Sequence, residues 1–353
     1  MLSRIEARDF RCFEHVQAEL HPETTVLRGR NAQGKTSLLE AACVLLRLQS
    51  PRTSTRTDLI RHGQASFMVE GVHGADTLRC GMSARQRRLA VNGAVMGRSG
   101  EYLKESGVVV WMDHGDMNLL RGGAEHRRRY LDFTASQTER GYLDALRTYE
   151  RALRSRNYVL KRDAQINWRH ADAYAQIMDK AAEVIWQARN ELVDATLEPA
   201  RRALEALSMG KEELGVRLVR GAEAGGLFEQ LVDQREQEQR TRTTAVGPHR
   251  DDLWIGLHER DAGSFASEGQ QRSLSVALKL AQARVLENRR GEAPLLLMDD
   301  VFGELDATRR QLLMENLPQG SQRVVTTTGG DWVEQQKDAI IYDVDAGSLK
   351  LVK

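Results

Sequence analysis

Cysteine occurs only three times in the 353 residues, at Cys12, Cys43 and Cys80, and no two of them form a C-x-x-C pair. That excludes a disulfide framework and a cysteine metal site, and it fits a reducing compartment, so a cytoplasmic location is expected. No stretch approaches 18 uncharged apolar residues, so no membrane-spanning helix is expected. Met1-Leu2-Ser3-Arg4-Ile5-Glu6 lacks an apolar core, so no secretory leader is expected either. Aromatic residues make up only 5% of the chain against 29% charged, a balance that implies helices with solvated faces. The net charge is +1, which excludes a globally basic nucleic-acid binder and leaves room for a local basic patch.

What is present is organised around Gly29-Arg30-Asn31-Ala32-Gln33-Gly34-Lys35-Thr36. A glycine, four residues and then Gly-Lys-Thr make a Walker A pattern. Residues 24–27 read as a short buried strand and residues 38–48 as a helix, which is the context the motif requires. The glycines let backbone N–H groups approach phosphate oxygens, and the helix N-terminus adds a positive dipole end. Lys35 is expected to reach the β- and γ-phosphates of ATP, and the Thr36 hydroxyl to bind Mg²⁺. The alternative is a plain glycine turn between a strand and a helix.

Before residue 115 the chain reads as short strands and turns, with Asn92-Gly93 as a hairpin signal. Residues 2–13 read as one opening strand, and Val108–Met112 as a buried one. From about Glu125 to Leu207 apolar residues recur three and four apart, with Gly141 and Pro199 the only breakers. Two or three long helices are expected there, folded as a compact lobe. Residues 210–246 are mixed and polar, with the run Arg235–Arg240, and the stretch reads as a short exposed helix or linker. Leu253–Leu257 reads as a strand.

A second set of residues completes an ATP site. Leu295-Leu296-Leu297-Met298-Asp299-Asp300 is an apolar run ending in two acids, the Walker B pattern. Asp299 is expected to hold Mg²⁺ and Asp300 to polarise the attacking water. Ser267-Glu268-Gly269-Gln270-Gln271-Arg272 opens a helix and is similar to the signature motif of ATP-binding-cassette ATPases. A serine and a glycine at a helix N-terminus suit a γ-phosphate, though a serine N-cap alone explains the pattern equally well. Phe302-Gly303-Glu304-Leu305-Asp306 resembles the D-loop of that superfamily. Residues 323–328 read as another buried strand with a polar end.

Taken in order, these motifs resemble the RecF family of bacterial recombination mediators, relatives of the SMC and Rad50 head ATPases. The residues that carry the resemblance are Ile5–Phe13, the Gly29–Thr36 loop, Asp58–Gly63, Arg127–Asp132, Gly247–Leu253, Ser267–Arg272 and Leu297–Asp306. Glu268 and Asp113-His114-Gly115-Asp116 depart from the family pattern, and no Q-loop residue is assigned. The resemblance implies an α/β fold: an ABC-type, SMC/Rad50 head-like P-loop ATPase domain with an inserted helical lobe. The head is expected at residues 1–115 plus 246–353, and the lobe at 116–245. Gly29, Arg30, Asn31, Ala32, Gln33, Gly34, Lys35 and Thr36 would bind ATP from one subunit, and Ser267, Gly269 and Gln270 from the other. Lys35, Asp300 and Ser267 would serve catalysis, and Thr36 and Asp299 would hold Mg²⁺. The implied activity is a weak, DNA-stimulated ATPase in recombinational repair. The implied partners are duplex and gapped DNA, a second copy of the chain, and the RecR and RecO proteins.

DNA also has a candidate surface. Residues 147–162 contain six basic residues and one acid. On a helix Arg147, Arg151, Arg154, Tyr158 and Lys161 share one face, suited to tracking phosphates, although an ordinary solvated face would look the same. Arg52, Arg56 and Arg61 form a second candidate, and Arg85, Arg87 and Arg88 a third. No aromatic platform at stacking density is visible, so duplex binding through phosphates is favoured over base reading. Three other functions compete. A membrane-transporter ATPase subunit would have its signature much closer to Walker A, without a long helical insertion between them. A metabolic kinase would lack the signature helix. A DNA-binding scaffold with a vestigial ATP site would differ only in lacking hydrolysis.

Overall fold

The computed structural model describes residues 1–162, 164–208, 212–303, 307–329, 331–334 and 338–353. The chain divides into two compact units, Met1–Asp116 with Gln282–Lys353, and Met117–Ala281.

The first unit opens with β1 (Leu2–Phe10) and β2 (Phe13–Glu19), which pair antiparallel. One long opening strand was the expectation. The chain instead reverses at Arg11-Cys12, with Arg11 in the left-handed region at φ 54°. Then follow β3 (Thr24–Arg28), α1 (Lys35–Arg47), β4 (Ser66–His73), β5 (Asp76–Ser83), β6 (Arg87–Val91), β7 (Ala94–Val95), α2 (Ser99–Glu105) and β8 (Val109–Asp113). An antiparallel sheet runs β2-β1-β4-β5-β6-β7. Its last hairpin turns at Asn92 and Gly93, both at positive φ as the sequence signal implies.

The second unit holds α3 (Asn118–Arg121), α4 (Ala124–Thr138), α5 (Tyr142–Arg162), α6 (Trp168–Ser208), β9 (Leu214–Val219), α7 (Leu227–Asp233), α8 (Arg235–Thr241), β10 (Asp252–Leu257), β11 (Arg260–Asp261) and α9 (Ala262–Phe265). It also holds the start of α10 (Glu268–Arg290). The three long helices are α4, α5 and α6. At 41 residues and 1.5 Å per residue, α6 is about 60 Å long. It continues through Pro199 despite the missing N–H. Strand β9 was not expected. It pairs antiparallel with β10, so part of the polar 210–246 stretch is sheet.

Helix α8 is short and mostly exposed, as expected for this stretch, except at Glu238. Its Glu238 is fully buried and receives a two-pronged donation from Arg156 of α5, at 2.9 and 2.7 Å. A parallel buried network surrounds Asp251, which accepts from Arg189 at 2.6 Å, from Trp186 Nε1 at 3.1 Å and from the Gly221 N–H at 2.7 Å. Buried charges of this kind persist because each oxygen has a partner.

The chain returns to the first unit with β12 (Leu295–Asp299), α11 (Ala307–Asn316), β13 (Arg323–Thr327), α12 (Asp331–Glu334), β14 (Ile340–Asp345) and β15 (Ser348–Leu351). The second sheet of this unit runs β15-β14-β3-β13-β12-β8, parallel except for β15. Strands β3, β8, β12 and β13 are almost wholly buried, which explains their continuous apolar sequence. Helix α1 packs against strands of both sheets, and every residue from Leu38 to Leu48 is buried. Helix α1 is therefore apolar nearly all round. Its one carboxylate, Glu40, is fully buried and accepts from Arg11 at 2.7 and 2.8 Å.

Candidate functional site

The Gly29–Thr36 loop joins the C-terminal end of β3, central in the parallel sheet, to the N-terminus of α1. Two of its residues have positive φ, Ala32 at 65° and Gly34 at 106°. Alternation of this kind turns successive N–H groups toward one concavity, the geometry of an anion nest. Gly29 has no room for a side chain, because a Cβ there would lie 2.3 Å from the Val344 carbonyl oxygen. Gln33 ties the loop to the β14–β15 turn, its Oε1 accepting from the Ala346 N–H at 2.6 Å and its carbonyl from the Gly347 N–H at 3.0 Å.

Lys35 is buried at the first position of α1, and its ammonium donates to the carbonyls of Gly29 at 2.6 Å and Arg30 at 2.8 Å. Burial pushes the Lys35 ammonium below the usual lysine range, opposed by the charges of Asp300 and Asp299. The ammonium is thus held at the mouth of the loop, and Arg30, Asn31 and Ala32 stay exposed around it.

The Walker B residues come to the same place. Thr36 Oγ1 donates to Asp299 at 2.9 Å from each carboxylate oxygen. Both groups are hard oxygen donors, a set that fits Mg²⁺, which takes one or two protein ligands and completes its shell with phosphate oxygens and water. Among the described residues no cluster of three or more His, Cys, Asp or Glu forms a separate metal site. Asp300 is exposed, with φ 52°, a left-handed conformation that turns the chain sharply at the strand end.

Two residues of this site escaped the sequence. Thr326 of β13 donates to Asp299 Oδ1 at 2.6 Å and accepts from the Asp300 N–H at 2.9 Å, fixing both acids. The polar end of the 323–328 run was its only signal. Asp113 of β8 stands in register beside Asp299 and accepts from Trp111 Nε1 at 2.7 Å. Of the D-loop residues, Phe302 and Gly303 are described, and Glu304, Leu305 and Asp306 lie outside the described residues.

Ser267, Gly269 and Gln270 lie in the second unit, at the start of α10. Ser267 and Gln270 cap that helix reciprocally. The Ser267 N–H donates to Gln270 Oε1 at 2.7 Å, and the Gln270 N–H to Ser267 Oγ at 3.3 Å. Ser267 is exposed. Gln270 Nε2 also donates to Glu212 at 2.9 Å, and Glu268 pairs with Arg272 at 3.0 Å. On α5, Arg151, Arg154 and Lys161 are exposed and Arg147 is half-buried. Arg156, counted among the six basic residues, is removed from that surface by its buried pair with Glu238.

A glycine nest on the central parallel strand, a buried lysine at its mouth and a Walker B acid in contact with its threonine define a P-loop ATPase head of the ABC type. A family model described as an AAA domain matches residues 4–102. The chain is 31% identical over 369 aligned residues to the "DNA replication and repair protein RecF" of Halalkalibacterium halodurans, with 99% of each chain covered. It is also similar to a solved structure described as "the recombination mediator protein RecF-ATPrS in RecFOR pathway", at 25% identity and a TM-score of 0.88, covering 100% of this chain and 98% of the other. An Smc head domain derived from Pyrococcus furiosus, solved bound to the C-terminal domain of ScpA, shares the fold at 16% identity and a TM-score of 0.54, over 99% and 95% of the two chains. The chain belongs to the RecF family.

Proposed function

We propose that the protein is an ATP-controlled DNA clamp of recombinational repair. The observation that carries this reading is the contact between Thr36 and Asp299, which unites the two nucleotide motifs at one point. Residues 29–36 bind the triphosphate of ATP through backbone N–H groups, and Lys35 exchanges its carbonyl partners for the β- and γ-phosphates. Thr36 and Asp299 hold Mg²⁺, which when bound supplies charge neutralisation to the phosphates. Asp300 accepts a proton from the attacking water and orients it.

Ser267, Gly269 and Gln270 serve the nucleotide of a second copy, so that ATP joins two chains about a two-fold axis. For this purpose residues 246–353 act with residues 1–115 as the head, and residues 116–245 as the lobe. Arg147, Arg151, Arg154 and Lys161 contact the phosphates of duplex or gapped DNA. Hydrolysis is weak, is stimulated by DNA and releases it. The clamp acts in the cytoplasm with RecR and RecO to help load recombinase. The relatives' names support repair over transport, and no described helix is long and apolar enough to cross a membrane.

The test is duplex affinity measured by fluorescence anisotropy with ATP and Mg²⁺, with ADP, and without nucleotide. Tighter binding with ATP is expected. Equal affinity in all three conditions would refute nucleotide control.

A further inference from the structure

The end of α5 and the start of α6 flank an open groove of ≈ 600 Å³ that the phosphate stripe does not explain. Arg154, Tyr158 and Arg162 line it from α5, and His170, Tyr174 and Ile177 from α6. Tyr158 is 61% exposed and Ile177 45%, so apolar faces open to solvent here. The Arg162 guanidinium stands 5.9 Å from the centre of the Tyr158 ring. No acidic residue lines the groove among the described residues.

The two tyrosines stand 16 positions apart in the sequence, which hid them as an aromatic pair. Folding brings both to one basic groove of a size that suits a nucleotide. Aromatic faces stack on any base, and guanidinium groups donate to the phosphate beside it. The groove also continues the stripe: Arg147 to Tyr158 spans about 16 Å along α5, a few nucleotides of extended strand.

We propose that this groove holds an unpaired base and its phosphate from single-stranded DNA, so that the contact of the proposed clamp with gapped DNA includes a stacked base on the lobe. The inference rests on the reading of α5 as a DNA-binding surface. A basic, aromatic-lined groove with no acid among its described lining residues suits a polyanion carrying flat rings better than an apolar protein segment.

The test uses the full chain with ATP and Mg²⁺, and three labelled probes: a dT oligomer, a gapped duplex and a continuous duplex. In the variant Tyr158→Ala/Tyr174→Ala, affinity for the dT oligomer is expected to fall by roughly fivefold or more, the loss of one stacked base. Affinity for the gapped duplex is expected to fall, and affinity for the continuous duplex to persist. Tyr158→Phe/Tyr174→Phe is expected to bind as the parent does, which separates stacking from folding. An iodouracil-substituted dT oligomer is expected to cross-link to Tyr158 or Tyr174. Parental affinity of the double alanine variant for all three probes would overturn the groove assignment alone. Failure of the parent to bind any of the three DNAs would overturn both the groove and the DNA-binding reading.

Discussion

The Thr36 hydroxyl donates to both carboxylate oxygens of Asp299, a residue 263 positions further along the chain. Helix α1 and strand β12 are adjacent in the first unit, so the contact joins the start of that helix to the end of that strand. The nucleotide chemistry of the protein depends on that placement.

Lys35→Met should weaken ATP binding by about 10- to 100-fold, the worth of a charge-assisted hydrogen bond to phosphate. The fold should survive, because methionine fills the same buried channel without a charge to desolvate. Nucleotide titration alongside a thermal melt checks both parts. Unchanged ATP affinity would remove Lys35 from the site.

Asp300→Asn should bind ATP and hydrolyse it about a hundredfold more slowly or worse, the scale of a lost general base. Single-turnover hydrolysis reads the effect. A normal rate would move the water-polarising role to another residue, such as Asp113, which stands in register with Asp299.

Reversing charge at Arg151 and Arg154 should weaken duplex binding and flatten its salt dependence. Each lost phosphate contact lowers the slope of log affinity against log salt by about one. Both residues are exposed, and Arg154 makes a loose pair with Glu150 at 3.8 Å, so folding should be unaffected. Identical slopes would make the stripe an ordinary solvated face.

Stability should fall in acid through His249. Its Nε2–H donates to the Thr244 carbonyl at 3.2 Å and its Nδ1 accepts from Tyr149 at 2.7 Å, the arrangement of a neutral ring. Burial pushes its pKa down to about 4 from the ordinary 6.5. The unfolded chain therefore binds more protons than the folded one between those values. The stability carried by neutral His249 is whole above pH 6.5 and is lost as the pH falls toward 4. Urea midpoints across that window should drop, and His249→Gln should reduce the slope by up to about 1.4 kcal/mol per pH unit. His73, also held at about 4 by burial, adds a slope of the same sign.

The nucleotide loop was legible because its chemistry is local: Gly29, Gly34, Lys35 and Thr36 announce a strand–loop–helix within a dozen residues. The apolar runs of β8, β12 and β13 were legible because burial on both faces leaves no alternation to obscure them. Glu238 was not, because its partner Arg156 lies 82 positions away and nothing beside it marks a buried acid. Strand β9 was hidden by its polar surroundings and is specified by pairing with β10. Thr326 became a site residue only when β13 was laid beside β12.

The central claim, that ATP joins two chains through Ser267, is tested most directly by sedimentation velocity. Ser267 is exposed at the N-terminus of α10, so Ser267→Arg sets a long cation at that surface without disturbing a core. With ATP and Mg²⁺ the parent should sediment as a dimer, and with ADP as a monomer. Ser267→Arg should retain ATP binding through Lys35 and Thr36, yet remain monomeric with ATP and Mg²⁺. An ATP-dependent Ser267→Arg dimer of parental strength would contradict the trans role of Ser267.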